Sequence, residues 1–408
     1  MRRGFIVPAN SAVAQLKRSG LVIALACWLA GSAASCRQSA PVDASKFSVE
    51  ILEGVRHIHN LAPQLEGLPS VQLELVGKIG KLEGREDKDI LYDPADAARL
   101  PGGDTLILER GGCTVKRFNE QRQLVSSFGR KGLGPGDFVS PYLLRLNIKK
   151  NMIYVADDGR ISWFTLDGRF VGSFKCAAVR PGGGSISVQY RTSGMSLLSG
   201  AHIIMPADVS LWEEAGGDAL LTVYDDAGAA IRSFGADTRI DDPRMTLNAN
   251  IVYFATGSND ECYIAYAHQN RIDKYSREGT PLFSADRRLP FEIRNEMKDE
   301  VFTSGAVKRV FSWPSVTSVA KGVSVDRKGR LWVLTFLIQP NRFGGFDDQA
   351  GYGRCYRFDV FDAQGILQFT VAPPDVKFSG FSIYDDRMYL VDPGDESCVY
   401  EYRMIERD

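Results

Sequence analysis

Histidines and catalytic motifs are scarce in this 408-residue sequence. It has only four histidines, His57, His59, His202 and His268, and it has no HExxH, GxSxG or GxxxxGK[ST] motif. A zinc centre built on three histidines, an α/β-hydrolase nucleophile and a phosphate loop each depend on one of these patterns. The sequence therefore disfavours all three kinds of enzyme.

Net charge is nearly absent as well. The 49 lysines and arginines are balanced by 50 aspartates and glutamates, so the formal charge is −1. Nucleic-acid binding depends on a basic surface that neutralises phosphates. Nucleic acid is therefore not an expected partner, and broad attraction to an anionic membrane surface is not expected either.

Cysteines are few and form no CxxC pair. Without Cys27 and Cys36, an odd number remains, namely Cys113, Cys176, Cys262, Cys355 and Cys398. In an oxidising compartment one disulfide is compatible with this set, and Cys113 with Cys398 is the pair that the strand positions favour. The alternative is that all of them are buried small hydrophobic residues.

Long hydrophobic runs are missing too. The apolar run at residues 21–30 is shorter than the roughly 20 residues of a membrane-spanning helix, and it follows Arg2, Arg3, Lys17 and Arg18. This is the pattern of a signal peptide. The run ends in Ala33-Ala34-Ser35-Cys36, which resembles a bacterial lipobox except that Leu is missing three residues before Cys36. Cleavage near residues 32–34, leaving a soluble periplasmic protein, is the alternative.

These features predict the organisation of the chain. We expect a signal peptide at 1–35, lipidated Cys36 with a polar linker at 36–48, an N-terminal lead-in at 49–70 and one domain at 71–408. A lipid anchor places the protein in the cell envelope, and Arg37 after the cysteine favours the outer membrane.

A five-residue pattern, aromatic-x-x-x-Gly, recurs along that domain. Its copies are Phe164 to Gly168, Tyr224 to Gly228, Tyr275 to Gly279 and Phe361 to Gly365, with a weaker copy from Phe118 to Arg122 and a final aromatic at Tyr402. Each glycine can supply the positive φ of a tight β turn. A second apolar run follows, which ends in Phe128, Phe174, Phe234, Phe283 or Phe369. The pattern predicts six repeated hairpins.

A partner strand precedes each hairpin. The centres of these apolar runs are Ile107, Tyr154, Ile204, Ile264, Trp332 and Tyr389. The intervals between them allow about four strands per repeat, which favours an all-β, six-bladed β-propeller. Only residues 403–408 follow Tyr402, so the alternating segment 71–79 is predicted to supply the outer strand of the last blade and to close the ring.

One segment resembles a known repeat. The run from Phe128 to Phe138, followed by Met152 to Ile161, resembles an NHL repeat, and residues 70–408 resemble the bacterial six-bladed β-propeller lipoproteins of NHL type. The resemblance implies a propeller whose faces bind ligands. It implies no particular reaction.

Two segments depart from the repeat. Ile293, Met297 and Val301 recur at a spacing of four after a proline, which predicts a short amphipathic helix within residues 289–301. Residues 339–354 interrupt the fifth blade with glycines, aromatics and charges. This insertion is predicted to be a long exposed loop, which is either functional or surface decoration.

In a propeller, the loops between the second and third strands lie on the same face as the linkers between blades. This rule gathers the Gly132 to Gly136 loop and the predicted ligand-binding residues Arg110, Asp157, Asp158, His268, Arg342, Phe346, Asp347 and Asp392. Arginine and aspartate can fix polar groups, and Phe343, Phe346 and Tyr352 can stack on a sugar or peptide ring. Each residue also has an ordinary structural explanation as a turn former or a solvated surface group.

The sequence favours a monomeric, lipid-anchored binding module for an envelope protein, a peptide or a saccharide. The first alternative is a calcium- or zinc-dependent hydrolase or lyase acting in the central channel. No cofactor is predicted, although a calcium site of Asp and Glu side chains is compatible with the 50 acidic residues. The second alternative is a structural envelope scaffold that recognises proteins through residues 339–354.

Overall fold

The computed structural model describes residues 42–66, 71–80, 90–175, 194–200, 202–207, 219–304, 307–341, 345–346, 351–394 and 396–407. Their first strands are β1 (Phe47–Leu52), β2 (Val55–Asn60) and β3 (Val71–Ile79). The predicted signal peptide, Cys36, Cys176, Arg342, Phe343 and Asp347 lie outside the described residues. Residues 43–408 belong to one compact unit.

Three four-stranded antiparallel sheets follow β3. The first blade comprises β4 (Pro94–Arg99), β5 (Thr105–Glu109), β6 (Thr114–Phe118) and β7 (Leu124–Phe128). The second comprises β8 (Leu143–Asn147), β9 (Met152–Asp157), β10 (Arg160–Thr165) and β11 (Phe170–Lys175). The third comprises β12 (Ser196–Leu197), β13 (Ile203–Pro206), β14 (Ala219–Tyr224) and β15 (Ala230–Ala236).

The second half of the chain adds three more blades. After helix α1 (Pro243–Ala249), the fourth blade comprises β16 (Val252–Thr256), β17 (Cys262–Tyr266), β18 (Ile272–Tyr275) and β19 (Pro281–Arg287). A hairpin of β20 (Glu296–Ser304) and β21 (Val307–Ser315) precedes the fifth blade, β22 (Ala320–Val325), β23 (Leu331–Phe336), β24 (Tyr356–Phe361) and β25 (Leu367–Val371). The sixth comprises β26 (Gly380–Tyr384), β27 (Arg387–Asp392), β28 (Cys398–Glu406) and β3.

The inner strands form a closed ring. The contacts run in order from β4 through β8, β12, β16, β22 and β26, and β26 returns to β4. Strand β3 pairs with β28 from Ile79 opposite Val399 to Val71 opposite Glu406. The predicted six-bladed propeller and its closure by the N-terminal strand are therefore confirmed.

The aromatic-x-x-x-Gly pattern locks neighbouring blades together. Its four glycines have φ between +81° and +90°. A Cβ atom on any of them would lie 2.5–2.8 Å from a phenylalanine side chain in the preceding blade's outer strand. The pairs are Gly168 with Phe128, Gly228 with Phe174, Gly279 with Phe234 and Gly365 with Phe283. Glycine is thus required both for the turn and for this close approach.

A buried ion pair also joins two blades. Arg287 of β19 donates from Nε to Oδ2 of Asp359 in β24 at 2.7 Å and from Nη2 to Oγ1 of Thr335 at 2.9 Å. Both charged side chains are almost completely buried. Burial lowers the pKa of Arg287, and the attraction of Asp359 opposes that effect. The pair therefore fixes the fourth blade against the fifth at a high desolvation cost.

The lead-in extends the fourth blade. Strand β2 pairs in parallel with β19, so that Asn60 lies opposite Arg287, and β1 pairs antiparallel with β2, so that Phe47 lies opposite Asn60. His59 of β2 bonds to Asp286 at 2.6 Å and to Glu50 at 3.2 Å, and these two carboxylates raise its pKa. The beginning of β1 and the end of β19 therefore lie at the same end of this six-stranded sheet.

The predicted helix within residues 289–301 is wrong, because residues 296–304 form strand β20 and pair with β21. Residues four apart lie on the same face of a helix. They also lie on the same face of a strand, because successive side chains of a strand point to opposite faces. Val301, Phe302 and Thr303 favour the strand, and Val310 and Phe311 supply the partner. Within the described part of the chain, no helix is long and apolar enough to span a bilayer.

The suggested disulfide between Cys113 and Cys398 is not formed, and both thiols are free and buried. Cys113 packs in the core between the first two blades, whereas Cys398 packs in the core of the fifth and sixth blades. The two side chains belong to separate clusters, so each acts as a small hydrophobic residue. Cys262 and Cys355 are also free and buried.

Candidate functional site

The loops between second and third strands and the linkers between blades form one face of the propeller, which we call the loop face. It carries α1, the β20–β21 hairpin and the insertion at 339–354. Residues of the insertion that are described include a single turn of 3-10 helix at Tyr352–Cys355. The loop face is therefore the more elaborate end of the molecule.

Asp157 and Asp392 hold loops in place. Asp157 is buried at the end of β9 and accepts hydrogen bonds from the backbone N–H groups of Val139 and Ser140, at 2.9 and 2.6 Å. Asp392, at the end of β27, accepts from the N–H of Gly394 at 2.8 Å. Asp157 also accepts from the guanidinium of Arg160 at 3.2 Å, and the contacts of both carboxylates favour a structural role.

The first blade repeats this arrangement with a residue that the sequence analysis missed. Glu109 ends β5 and accepts from the N–H of Tyr92, from the hydroxyl of Thr114 and from Lys116. An acidic residue at the end of a second strand thus ties down the preceding linker in the first and second blades, whereas Asp392 holds the loop of its own blade. The signal was present in the sequence as an acid that follows each of these apolar runs.

Arg110, Asp158 and His268 lie in loop-face turns. Arg110 is half exposed and lies 3.6 Å from Asp93, while Asp158 is partly buried in the turn after β9. His268 donates from Nδ1 to the carbonyl oxygen of Thr317 at 2.9 Å. Burial lowers the pKa of His268, so the ring is neutral near pH 7. Each of these residues is positioned by its own loop or by the adjacent linker.

Phe346 belongs to an aromatic cluster under the insertion. Its ring centroid lies 5.5 Å from that of Tyr356 and 6.1 Å from that of Tyr352. Phe336 and Phe378 complete the cluster. All five rings come from the insertion, the strands that flank it or the linker between the fifth and sixth blades, so the insertion is attached to the fifth blade through aromatic contacts.

One cation sits among these rings. Lys321, on inner strand β22, donates to the hydroxyl of Tyr352 at 2.5 Å and to that of Tyr356 at 2.9 Å, and its Nζ lies 4.8 Å from the Tyr356 ring centroid. Burial and the bond with Tyr352 raise the pKa of Tyr356, which therefore stays protonated. We call Lys321, Phe346, Tyr352 and Tyr356 the lysine–tyrosine cluster.

A second polar group lies on the inner strands. Asp96 of β4 bonds to the guanidinium of Arg145 in β8 at 2.5 Å and accepts from the N–H of Leu144 at 2.9 Å. Burial raises the pKa of Tyr384 on β26, which lies near this pair. The sequence gives no signal for Asp96, Arg145 or Lys321, because they lie on inner strands that its patterns do not mark.

The alternative function, a metal-dependent hydrolase or lyase, needs several side chains that converge on a metal ion, and the described residues show no such group. Among them, no group of three or more His, Cys, Asp or Glu side chains is arranged to hold a metal ion. Asp157 and Asp392 use their oxygens within the loops, as described above. Calcium or zinc binding stays part of the untested alternative function.

No protein-family model and no curated protein matches this sequence. Among solved structures, a candidate exported protein from Bacteroides fragilis is 12% identical over 86% of this chain and 99% of that chain, with a TM-score of 0.51. A DUF4221 family member from Bacteroides vulgatus is 9% identical over 83% and 99%, with a TM-score of 0.52. At these identities the similarity shows the propeller fold alone.

A further solved structure is more distant. Virginiamycin B lyase from Staphylococcus aureus is 9% identical over 82% of this chain and all of its own, with a TM-score of 0.43. That score supports no statement about the activity of the present protein. Function therefore has to be argued from the loop face itself.

Proposed function

We propose that this protein is a lipid-anchored, extracytoplasmic binding module that contacts an envelope protein, a peptide or a saccharide through its loop face. The leader-like residues 1–35 and Cys36 support export and anchoring to the outer membrane. The neighbour from Bacteroides fragilis is itself a candidate exported protein, which agrees with this location.

The lysine–tyrosine cluster carries the proposal. It combines an ammonium group, two phenol groups and the half-buried ring of Phe346 at the base of a long loop. Aromatic rings bind the apolar faces of sugars and peptide side chains, and a held lysine binds a carboxylate. The cluster suits a peptide or saccharide that presents an acidic group. Arg110, Arg342 and Asp347 are further proposed contacts on the same face.

Site-specific photocrosslinking in envelope preparations tests the loop face. Ile338, beside the insertion, and Ile148, in the turn between β8 and β9 on the opposite face, are both 45% exposed. A photoreactive residue at 338 should give specific crosslinks, and the same residue at 148 should give none. Equal crosslinking from both positions would refute the assignment of the contact surface.

Two variants then separate ligand binding from scaffolding. Removing residues 340–353 should abolish capture and leave the propeller folded. Lys321→Met should weaken capture of an acidic ligand, because it removes the charge while keeping most of the side-chain volume. A scaffold that recognises proteins only through the insertion should lose capture on deletion but tolerate Lys321→Met.

A further inference from the structure

Arg145 lies on the channel side of the inner strands. It is the third residue of β8, and its Nε donates to the carbonyl oxygen of Met195, next to β12, at 3.0 Å. Its Nη1 donates to Asp96 of β4 at 2.5 Å. These partners belong to the blades on either side of β8, and a side chain directed into one space between blades would meet only one of them. The guanidinium therefore lies across the wall of the central channel.

Part of this guanidinium has no partner in the described part of the chain. Nε and Nη1 donate to Met195, to Asp96 and to the carbonyl oxygen of Leu144, whereas no described residue accepts a hydrogen bond from Nη2. The side chain is 29% exposed although it lies in the middle of an inner strand. Its exposed part therefore faces the channel, where the two N–H groups of Nη2 are free to bind a ligand.

Two tyrosine hydroxyls are free in the same way. Tyr253 of β16 and Tyr384 of β26 are partly buried on inner strands. Among the described residues neither hydroxyl has a hydrogen-bond partner, and neither is shut off from solvent. Burial raises the pKa of both hydroxyls, so each keeps its proton near pH 7 and can donate a hydrogen bond.

These groups form two donor pairs around the channel. Tyr384 lies close enough to Arg145 for that charge to oppose the effect of burial on the pKa of the tyrosine. Tyr253 lies close enough to Tyr356 to add to the rise of its pKa, which is mainly caused by burial, and Tyr356 is bonded to Lys321. Strands β8 and β22 are on opposite sides of the ring. One pair is therefore Arg145 with Tyr384, and the other is Lys321 with Tyr253.

Positive charge dominates the channel wall. The six inner strands contain Arg99, Arg145 and Lys321, and their only acidic residue is Asp96. Asp96 is paired with Arg145, and Arg99 is paired with Glu401. No carboxylate of the described residues pairs with Lys321, whose ammonium is held by two phenol oxygens. One partly buried positive charge is thus left uncompensated, and such a charge attracts an anion.

We propose that the central channel binds a small hydroxylated carboxylic acid. Its carboxylate binds to the ammonium of Lys321 and the hydroxyl of Tyr253. Its hydroxyl oxygens accept hydrogen bonds from Arg145 and Tyr384. The wall favours this class because its free polar groups are donors, whereas the oxygens of Asp96 already accept from Arg145 and from two backbone N–H groups. The inference rests on the proposed function in its use of Lys321, and it adds a small ligand held inside the ring.

Calorimetric titration of the full-length protein in a neutral detergent tests the proposal with matched probes. D-Gluconate is compared with sorbitol, D-glucuronate with D-glucose, and D-glycerate with glycerol, because the members of each pair differ in the carboxylate. At least one acid should bind at one site per chain, about tenfold or more tightly than its neutral counterpart, and added salt should weaken it. If none of the acids bound, or if each bound no better than its neutral counterpart, the proposal would be overturned.

Removal of single hydroxyls locates the acid in the channel. Tyr253→Phe should weaken its binding about tenfold, because a donor to the carboxylate is lost. Tyr384→Phe should weaken it about two- to tenfold, because that bond is made to a neutral oxygen. Neither variant breaks a hydrogen bond within the described protein, so both should keep the stability of the unchanged protein. Tyr92→Phe, at an exposed tyrosine before β4, is the matched control and should bind the acid normally.

Two charged-residue variants complete the test. Lys321→Met should reduce the affinity for the acid to that for its neutral counterpart. Arg145→Lys keeps a positive charge beside Asp96 but removes the Nη2 donors, so it should weaken the binding of acid and neutral probe alike. If Tyr253→Phe and Tyr384→Phe bound the acid normally, the acid would lie outside the channel and the proposal would be wrong. Crosslinking from residue 338 reports on the loop face alone, so specific crosslinks without acid binding would refute this inference and leave the proposed function standing.

Discussion

Replacing Gly228 by alanine tests whether the repeated glycine fixes the packing between blades. Gly228 has φ of +81°, and a Cβ atom there would lie 2.6 Å from the ring of Phe174 in the preceding blade. The left-handed backbone costs an alanine about 1–2 kcal/mol, and overpacking adds about 1–3 kcal/mol. We expect Gly228→Ala to lower the free energy of unfolding by about 2–5 kcal/mol.

Gly329→Ala provides a matched control. Gly329 has φ of +75° and no neighbouring atom within 4 Å of an added Cβ. Its turn has the same bonds, because Asp326 accepts from the N–H groups of residues 328 and 330 just as Asp225 accepts from those of 227 and 229. This variant should therefore lose only the backbone contribution, about 1–2 kcal/mol.

Urea unfolding followed by tryptophan fluorescence gives both free energies. Adding Phe174→Leu to Gly228→Ala should relieve part of the clash, so the double variant should lose less stability than the sum of the single variants, by about 0.5–3 kcal/mol. Equal losses of stability for Gly228→Ala and Gly329→Ala, with no coupling to Phe174, would refute the packing explanation. The glycine would then be required only for the backbone conformation of the turn.

Three further predictions concern charges and metals. Asp359→Asn should lower the free energy of unfolding by about 3–5 kcal/mol, because it leaves Arg287 buried without a counter-charge. Adding Arg287→Met should recover part of that loss. Unchanged stability of Asp359→Asn in urea unfolding would contradict the prediction. The pKa of His59 is raised in the folded protein by its bonds to Asp286 and Glu50. These bonds should therefore stabilise the lead-in fully below about pH 6.5, and the stabilisation should be lost as the pH rises through the folded pKa. His59→Gln should remove this pH dependence. The effect should stay below about 1 kcal/mol since the groups are more than one-third exposed, and a pH-independent difference between the two proteins would refute it. Elemental analysis of chelator-free protein should show no stoichiometric calcium or zinc if the binding-module proposal is right, whereas one bound ion would favour the channel enzyme.

Local signals in the sequence were sufficient for the outer three strands of each blade. The centres Ile107 to Tyr389 all lie in second strands, and the aromatic-x-x-x-Gly copies mark the turns from third to fourth strands. The reason is that one turn geometry and one inter-blade contact recur, and each needs glycine with a phenylalanine opposite. Strand β3 could be placed because the last blade lacked its outer strand.

Non-local pairings were not predictable in the same way. Inner strands such as Ala320–Val325 mix small, polar and charged residues, so Lys321 gave no strand signal. The parallel pairing of β2 with β19 joins segments more than two hundred residues apart, and nothing local encodes it. Among the predicted site residues, Asp157 and Asp392 were recognised by type, but the bond from Ser140 to Asp157 forms only when the linker between the first and second blades is in place.

The shared sheet of β28 and β3 also sets an order of events during biogenesis. Strand β3 is synthesised early, yet its hydrogen-bonding edge can be covered only when residues 398–406, far later in the sequence, have been made. Until then the ring is open, and an unpaired strand edge can recruit other chains. Such long-range pairing is intrinsically slow. The growing chain therefore depends on rapid completion, or on a chaperone that shields residues 71–79, to avoid joining the wrong molecule.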